Sequence, residues 1–438
     1  MPDVLNHASR LARAAVGGTL LLAISHSLSA AIIGTNPPAQ PLTADRIAAL
    51  PRPEQSVWED YLKRSDQQSR QDRMTLQAEL RRAHLAAPLV PPSGHSVASI
   101  PLNREDNWYC GGEAWRIADI IVSFQTPAGG WSKNLNLNRN PRVSGENYAP
   151  NNTSRFPGPA DFDAEADPQW NYVGTFDNDA TTTEMRFLAR VIATTAHPAA
   201  AWRKAFLRGL DYIFAAQFPN GGWPQVWPLQ GGYHDAITFN DDAMLNVLTL
   251  LRDVSDGYNE FSFVPAKYRA RAKSACERGV TCALATQVVI GGRRTVWCQQ
   301  YDALTLQPTS ARNYEMPAKC SSESADLMLF LMDEPHPNAA VIAAVDAAAA
   351  WFEKTGIHDQ KYTFGPDGRD LEPCPGAGPL WARYYAISSD RPIFGDRDKT
   401  IHDRLDEISL ERRKGYGWYG ENPARALAQY ADWKKLYR

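Results

Sequence analysis

One phrase occurs twice in this chain. Gln125-Thr-Pro-Ala-Gly-Gly-Trp131 returns as Gln217-Phe-Pro-Asn-Gly-Gly-Trp223, each time after a stretch with helical periodicity. A repeat of this kind reports one supersecondary unit used more than once. The phrase itself reads as a helix end, a proline stop, a glycine turn and a packing tryptophan. A ring of such helix pairs collects its turns on one face, where a site can be built. The copies diverge straight after the tryptophan, into Ser132-Lys133-Asn134 and Pro224-Gln225-Val226. The repetition marks scaffold, and its failure points toward chemistry.

The helical period continues along the chain. It predicts helices near 112–125, 182–195, 199–217, 241–255, 267–286, 322–333, 337–355 and 424–436, with short strand-like runs at 287–290, 295–299 and 381–386. This is an all-α pattern with long turns. The sequence has 438 residues, 44% of them hydrophobic, enough for a large core. Length alone suggests two or three domains, but a helical ring of this size can be one unit. Residues 32–53 are Pro- and Ala-rich without periodicity and read as a linker. Glu54 to His84 reads as a long charged helix. The expected division is therefore 1–31, 32–95 and 96–438. Residues 136–172 form the longest aperiodic segment, a loop long enough to wall a cleft.

Residues 1–31 read as a signal peptide. Arg10 and Arg13 precede an apolar run from Ala14 to Leu28, and the small residues Ser29-Ala30-Ala31 follow. That run is too short to span a bilayer, and no later segment is apolar enough. Export to the periplasm or the extracellular space is expected, without a membrane partner. Six cysteines fit an oxidising compartment but allow 15 pairings. Net charge is −3 and no basic stripe stands out, which argues against nucleic acid. There is no His-Glu-x-x-His, P-loop, Gly-x-Ser-x-Gly elbow or dinucleotide fingerprint.

Two acidic clusters stand at predicted helix starts. The first is Asp177-Asn178-Asp179-Ala-Thr181-Thr-Thr-Glu184, where Thr181-x-x-Glu184 has the form of a capping box. The second is Asn240-Asp241-Asp242. N-capping explains one acidic side chain in each and leaves the others over. Hard oxygen donors in a turn suit Ca²⁺, and converging clusters would make a cation site or a catalytic carboxylate pair. Cations are the third element: Lys133 after the first repeat, Arg312 in a proline-flanked loop, and Arg383, Arg391 and Arg397 further on. Arginine forks match carboxylates. Acidic clusters with loop arginines and aromatics suit an anionic sugar polymer.

Six phrases in order resemble the family 10 polysaccharide lyases, pectate lyases that act on polygalacturonate. They are Gly-Gly-Trp-Ser-Lys133-Asn, Thr-Phe-Asp177-Asn178-Asp-Ala-Thr-Thr-Thr-Glu, Gln-Phe-Pro-Asn-Gly-Gly-Trp-Pro-Gln, Ile-Thr-Phe-Asn-Asp241-Asp242-Ala-Met, Pro-Thr-Ser-Ala-Arg312-Asn-Tyr-Glu-Met-Pro and Asp-Arg391-Pro-Ile-Phe-Gly-Asp-Arg397-Asp. The resemblance runs from about residue 105 to the C-terminus. It implies an α/α toroid, an incomplete α/α barrel, cleaving de-esterified pectin by Ca²⁺-assisted β-elimination. It implies Asp177 and Asp241 in the catalytic region, Arg312 as base, and Lys133, Asn178, Thr181, Arg383, Arg391 and Arg397 against substrate. Asp177, Asn178, Asp241 and Asp242 would hold Ca²⁺. Asp179 stands where this family commonly carries glycine. A monomer acting on polygalacturonate is expected. The competing readings are an exported glycoside hydrolase using paired carboxylates, a non-catalytic polysaccharide-binding protein, and a terpene-cyclase-like toroid.

Overall fold

The repeat forms the joints of a helical arc in the computed structural model, which describes residues 31–94, 99–154, 158, 160–164 and 167–437. The expected signal peptide lies outside the described residues. Helices α3 (Gly112–Phe124), α4 (Thr182–Thr194), α5 (Ala200–Ala216), α6 (Ala243–Asp256), α7 (Ala266–Thr286), α8 (Ser321–Met332), α9 (Ala339–Thr355) and α10 (Asn422–Tyr437) match the eight periodic segments within two or three residues. Before them come the short α1 (Ala44–Ala48) and the long α2 (Arg52–Ala83). Helices α4, α6 and α8 form an inner row, each touching the next. Helices α3, α5, α7, α9 and α10 form an outer row, also touching in order. One apolar cluster runs between the rows, through Ile121, Phe187, Leu210, Leu248, Cys282, Met328 and Phe352. The result is an incomplete α/α toroid.

Each copy of the repeat ties three pieces together. Gln125 Nε2 donates to the Gly129 carbonyl of its own turn (2.7 Å) and to the Ala205 carbonyl on the next outer helix (2.8 Å). Gln217 does the same to Gly221 and Ala275, both at 2.9 Å. The Trp131 and Trp223 indoles each donate back to the carbonyl ten residues earlier, Ile121 and Ile213. Buried amides and indoles are nearly always satisfied, so these bonds fix the geometry of the joint. The turn demands glycine. Gly129 and Gly221 have φ of 109° and 96°, and a Cβ would lie 2.5 and 2.3 Å from the Arg208 and Arg278 carbonyl oxygens.

A third joint escaped the sequence pattern. Gln287 Nε2 donates to Thr295 O and Ala344 O, and Trp297 Nε1 to Ala283 O. A hairpin between 289 and 294 lengthens this turn and hides the motif. The expected strand-like run over 287–290 supplies the first strand of that hairpin, Val289–Ile290. The run 295–299 forms no named strand; the ladder residues are Gln300–Tyr301. The run 381–386 becomes two ladders, Trp381–Ala382 and Tyr384–Tyr385.

Residues 32–53 are packed, contrary to the linker reading. Strand β1 (Ile32–Thr35) pairs antiparallel with the strand Thr400–His402, and Asn36, Leu42 and Ile47 are buried. Periodicity could not find this segment, because it is held by backbone pairing and a few anchors. Helix α2 packs its Tyr61, Leu76 and Leu80 side while its other faces stay charged. All six cysteines are free thiols. No described helix is long and apolar enough to cross a membrane.

Candidate active site

The inner helices α4, α6 and α8 all begin at the same face of the arc. Just before α4 and α6 the chain repeats a second phrase, Thr175-Phe-Asp177-Asn178-Asp179-Ala and Thr238-Phe-Asn240-Asp241-Asp242-Ala. Both form a 3₁₀ turn with two left-handed residues: Asn178 and Asp179 at φ 51° and 60°, Asp241 and Asp242 at 49° and 56°. Left-handed non-glycine residues are costly and cluster at functional sites. Aspartate and asparagine exchange places between the copies. Asp177 is thereby buried and Asp241 exposed, while Asn240 is buried and Asn178 exposed.

The two turns touch and face a small polar pocket of about 60 Å³. Its lining includes Lys133, Tyr172, Asp177, Asn178, Asp241 and Arg312. Lys133 Nζ pairs with Asp177 Oδ2 at 2.5 Å and sits 3.4 Å from the centre of the Tyr172 ring. Gln225 Nε2, just past the second repeat, donates to the other Asp177 oxygen at 2.9 Å. Asp241 keeps 40% of its side chain exposed, and its ion partner Arg383 stands 3.7 Å away. Burial on most sides, and then repulsion from Asp177, raise the Asp241 carboxyl to about 6.

Arg312 comes from the loop between the third joint and α8. Its Nε donates to Glu315 Oε2 at 2.8 Å, and its terminal nitrogen bonds the other oxygen. Glu315 also accepts from the Arg312 amide (3.1 Å) and the Tyr416 hydroxyl (2.9 Å). Burial works to raise the Glu315 carboxyl, but the guanidinium overrides it and holds the group at about 2. Reciprocally, burial favours loss of the Arg312 proton, but Glu315 outweighs burial and holds the proton well above the ordinary range. A third of the Arg312 side chain remains exposed.

Arg383 reaches the same region. It donates to Glu323 Oε1 at 2.8 Å and Asn240 Oδ1 at 3.3 Å. Arg397 stands 5.2 Å from the centroid of the Tyr314 ring, with Arg312 at 5.1 Å and Arg412 at 4.3 Å. Glu411 pairs with Arg397 and Arg412.

Three expected site residues fall elsewhere. Arg391 is two-thirds exposed and pairs with Asp403, and it does not line the pocket. Thr181 is fully buried; its hydroxyl donates to Thr175 O (2.8 Å) and accepts from Trp131 N (2.9 Å), so it is a strut of the first joint and not a substrate contact. Its φ of 68° also prevents the expected capping box. Asp242 turns away toward Glu323, Asp326 and Asp179; burial, and then that company, raise its carboxyl to about 8. Asp179 does not cap α4 either and accepts from Asn246 at 2.6 Å.

Among the described residues no three acidic, histidine or cysteine side chains converge as a ready metal cage. The donors Asp177, Asn178 and Asp241 nevertheless suit a hard cation. Two carboxylates repel each other there, and a cation between them would relieve that repulsion.

Sequence reasoning missed Glu315, Gln225, Tyr172 and Tyr233. The two tyrosines share a hydroxyl hydrogen bond of 2.9 Å, and Tyr233 reaches Asp163. Glu315 could have been suspected from its place three residues after Arg312.

A helical toroid with cations and carboxylates at its inner-helix starts has the charge to meet an acidic sugar polymer. Comparison with known proteins narrows the class. The family model described as pectic acid lyase matches residues 125–427. A family 10 polysaccharide lyase from Cellvibrio cellulosa is 31% identical, over 76% of this chain and 98% of that one, with a TM-score of 0.62. An aspartate-to-alanine variant of a family 10 lyase from the same organism, solved with trigalacturonic acid, is 32% identical over 74% and 96%, with a TM-score of 0.63. No curated protein matches. The chain belongs to the pectic acid lyase family and is a family 10 pectate lyase. That membership sets aside the hydrolase, binding-protein and cyclase readings.

Proposed function

We propose that this enzyme cleaves polygalacturonate by Ca²⁺-assisted β-elimination, with Arg312 taking the C5 proton of a galacturonate unit. The observation that carries the reading is the meeting of Lys133, Asp177, Asn178, Asp241 and Arg312, from four separate segments, around one polar pocket. A polyuronate bound at a cationic loop face presents its carboxylate there, and its C5 hydrogen lies alpha to that carboxylate. Removing the proton forms the C4–C5 double bond and expels the 4-linked glycosidic oxygen. A neighbouring structure bound to trigalacturonic acid supports a uronide ligand.

Asp177, Asn178 and Asp241 would hold the Ca²⁺. When bound, the ion supplies Lewis-acid polarisation of the uronate carboxylate and stabilises enolate-like charge. Lys133 and Arg383 add positive charge on the same side, aimed at charge that grows in the transition state. Asp177 has its two oxygens already directed by Lys133 and Gln225. Arg397 extends the cationic surface beyond Tyr314.

Arg312 must release its own proton before it can take another. Arginine rarely does so below pH ~12. Glu315 opposes that release, while the cations gathered in the loaded site favour it. The proposal therefore requires an alkaline rate profile. Export through the N-terminal signal, a monomer and a catalytic unit spanning about 96–438 complete the reading.

The test uses polygalacturonate with Ca²⁺, then with chelator. An unsaturated, ultraviolet-absorbing product that chelation abolishes is expected. Product that survives full chelation removes the Ca²⁺ assignment. Arg312→Ala should nearly abolish turnover in a folded chain, and retained turnover removes Arg312 as base.

A further inference from the structure

We propose that Asn36 is a positioning residue for Arg312, and that the stretch Ile32 to Pro37 of an N-terminal strap running on to Arg46 is a working part of the active site. The inference rests on the assignment of Arg312 as base. The strap lies outside the matched residues 125–427, so family membership does not predict it.

The strap crosses the loop that carries Arg312. The Asn36 side chain is 2% exposed. Its Nδ2 donates to two consecutive carbonyls of the loop, Arg312 O at 3.1 Å and Asn313 O at 3.0 Å. Its own backbone amide is fixed by Lys399 O at 2.8 Å, at the end of the β1 ladder. Ser310, two residues before Arg312, donates its hydroxyl to Pro37 O. The strap therefore grips the loop on both sides of Arg312.

The loop has little else to fix its backbone. Arg312 O and Glu315 N close a turn at 2.9 Å, and Ala311 N bonds Glu315 O at 3.0 Å. Asn313 is anchored by its side chain, donating to Arg397 O (2.8 Å) and accepting from Phe162 N (2.9 Å). The Arg312 carbonyl has Glu315 N as its other donor, while the Asn313 carbonyl depends on Asn36. Losing that buried donor leaves the Asn313 acceptor short and removes one of the two bonds that hold the Arg312–Asn313 peptide. Arg312 Cα rides on that peptide, and a misplacement of about 1 Å can cost ~10²-fold in rate. The Asn36 Oδ1 has no partner, so the side chain serves here as a donor. The remaining strap anchors lie away from Arg312: Leu42 N to Asp235 Oδ2 at 3.0 Å, and Arg46 to Asp302 at 2.6 Å.

The experiment compares Asn36→Ala, Asn36→Asp and Arg46→Ala in the full chain. Rates on polygalacturonate are separated into kcat and KM, with melting temperature measured alongside. Asn36→Ala should lower kcat at least tenfold and leave KM within about twofold. Asn36→Asp keeps the shape but sets a carboxylate against the two carbonyls and should be no better than Asn36→Ala. Arg46→Ala, which loosens the strap elsewhere, should keep kcat at comparable loss of melting temperature. In the Arg312→Lys background, Asn36→Ala should add little, because both act through one group.

Full kcat in a folded Asn36→Ala enzyme overturns the inference, as does a loss that Arg46→Ala reproduces at equal destabilisation. If Asn36→Ala does not fold, the near-isosteric Asn36→Leu, which lacks the donor and adds no charge, carries the comparison; full kcat there overturns the inference equally. Failure of the underlying reading is distinct, because it shows as turnover retained by Arg312→Ala.

Discussion

Replacing Glu315 by glutamine separates an arginine that acts as a base from one that acts as a fixed cation. Glu315 is almost wholly buried, and its carboxyl stands at about 2 against an ordinary 4.5, although burial alone would raise it. At ~1.4 kcal/mol per pKa unit, the Glu315 carboxylate is favoured by a net ~3–4 kcal/mol after burial is overcome, with Arg312 the largest favourable cause. The attraction is mutual, so Glu315 in turn raises the guanidinium. Glutamine removes the charge and keeps one oxygen, enough for either the Arg312 amide or the Tyr416 hydroxyl, which bond different oxygens of Glu315. The Arg312 proton is then released at lower pH, because the largest force raising it is gone. If Arg312 must be unprotonated to react, the rising limb of log kcat against pH moves down. The plateau falls as well, since the freed base is weaker. Initial rates of ultraviolet absorbance from pH 6 to 11, at saturating Ca²⁺ and substrate, measure both. A rising limb that stays in place, or moves upward, refutes the base assignment and leaves Arg312 as an electrostatic contact.

Three further outcomes follow from the site and its support. Asp241 holds its proton to about 6 in the unliganded site, so protons compete with the cation below that pH. Calorimetric Ca²⁺ affinity should weaken from pH 7 to pH 5, and Asp241→Asn should weaken it at pH 7 at least tenfold and flatten the dependence; an unchanged affinity in the variant removes Asp241 from the ligand set. Glu184 is fully buried, and burial raises its carboxyl from 4.5 to about 8. Below 4.5 both folded and unfolded chains hold this proton, and above it only the folded chain does, so stability is lost as pH rises toward 8 by up to about 4–5 kcal/mol. Glu184→Gln should therefore melt like the parent at pH 4 and several degrees higher at pH 9, whereas an offset independent of pH refutes the account. Finally, Gly221→Ala places a Cβ 2.3 Å from Arg278 O at a φ of 96° and should cost several kcal/mol in denaturant unfolding, because it breaks an outer-helix joint; a loss below about 1 kcal/mol would show that the joint yields.

The helices were legible because each buries one face against the core and leaves the other wet, and a period of 3.6 records that directly. The two intact joints were legible because a left-handed turn against a backbone carbonyl leaves glycine little competition. The third joint was not, since a hairpin inserted in its turn breaks the spacing while Gln287 and Trp297 keep their bonds. The strap was read as a linker because strand pairing at an edge imposes no period.

The site was legible in part. Residue type announced that carboxylates, amides and cations stand at helix starts. Only the folded chain sorted them. The exchange of aspartate and asparagine between Asp177-Asn178 and Asn240-Asp241 puts the carboxylates at different depths in otherwise matching turns. Thr181, at the same helix start as Asp177, was given to the scaffold by its hydrogen bonds, and Arg391 to the surface, where it pairs with Asp403.

By itself, then, the sequence determined a ring of helix pairs and the chemical kinds of group at its mouth, because both follow from local pattern and composition. Tertiary structure decided which of those groups meet. It joined Arg312 to Glu315, Lys133 to Asp177 and Asn36 to the Arg312 loop across 276 residues of chain. Such pairings depend on directions in space that no spacing along the chain encodes.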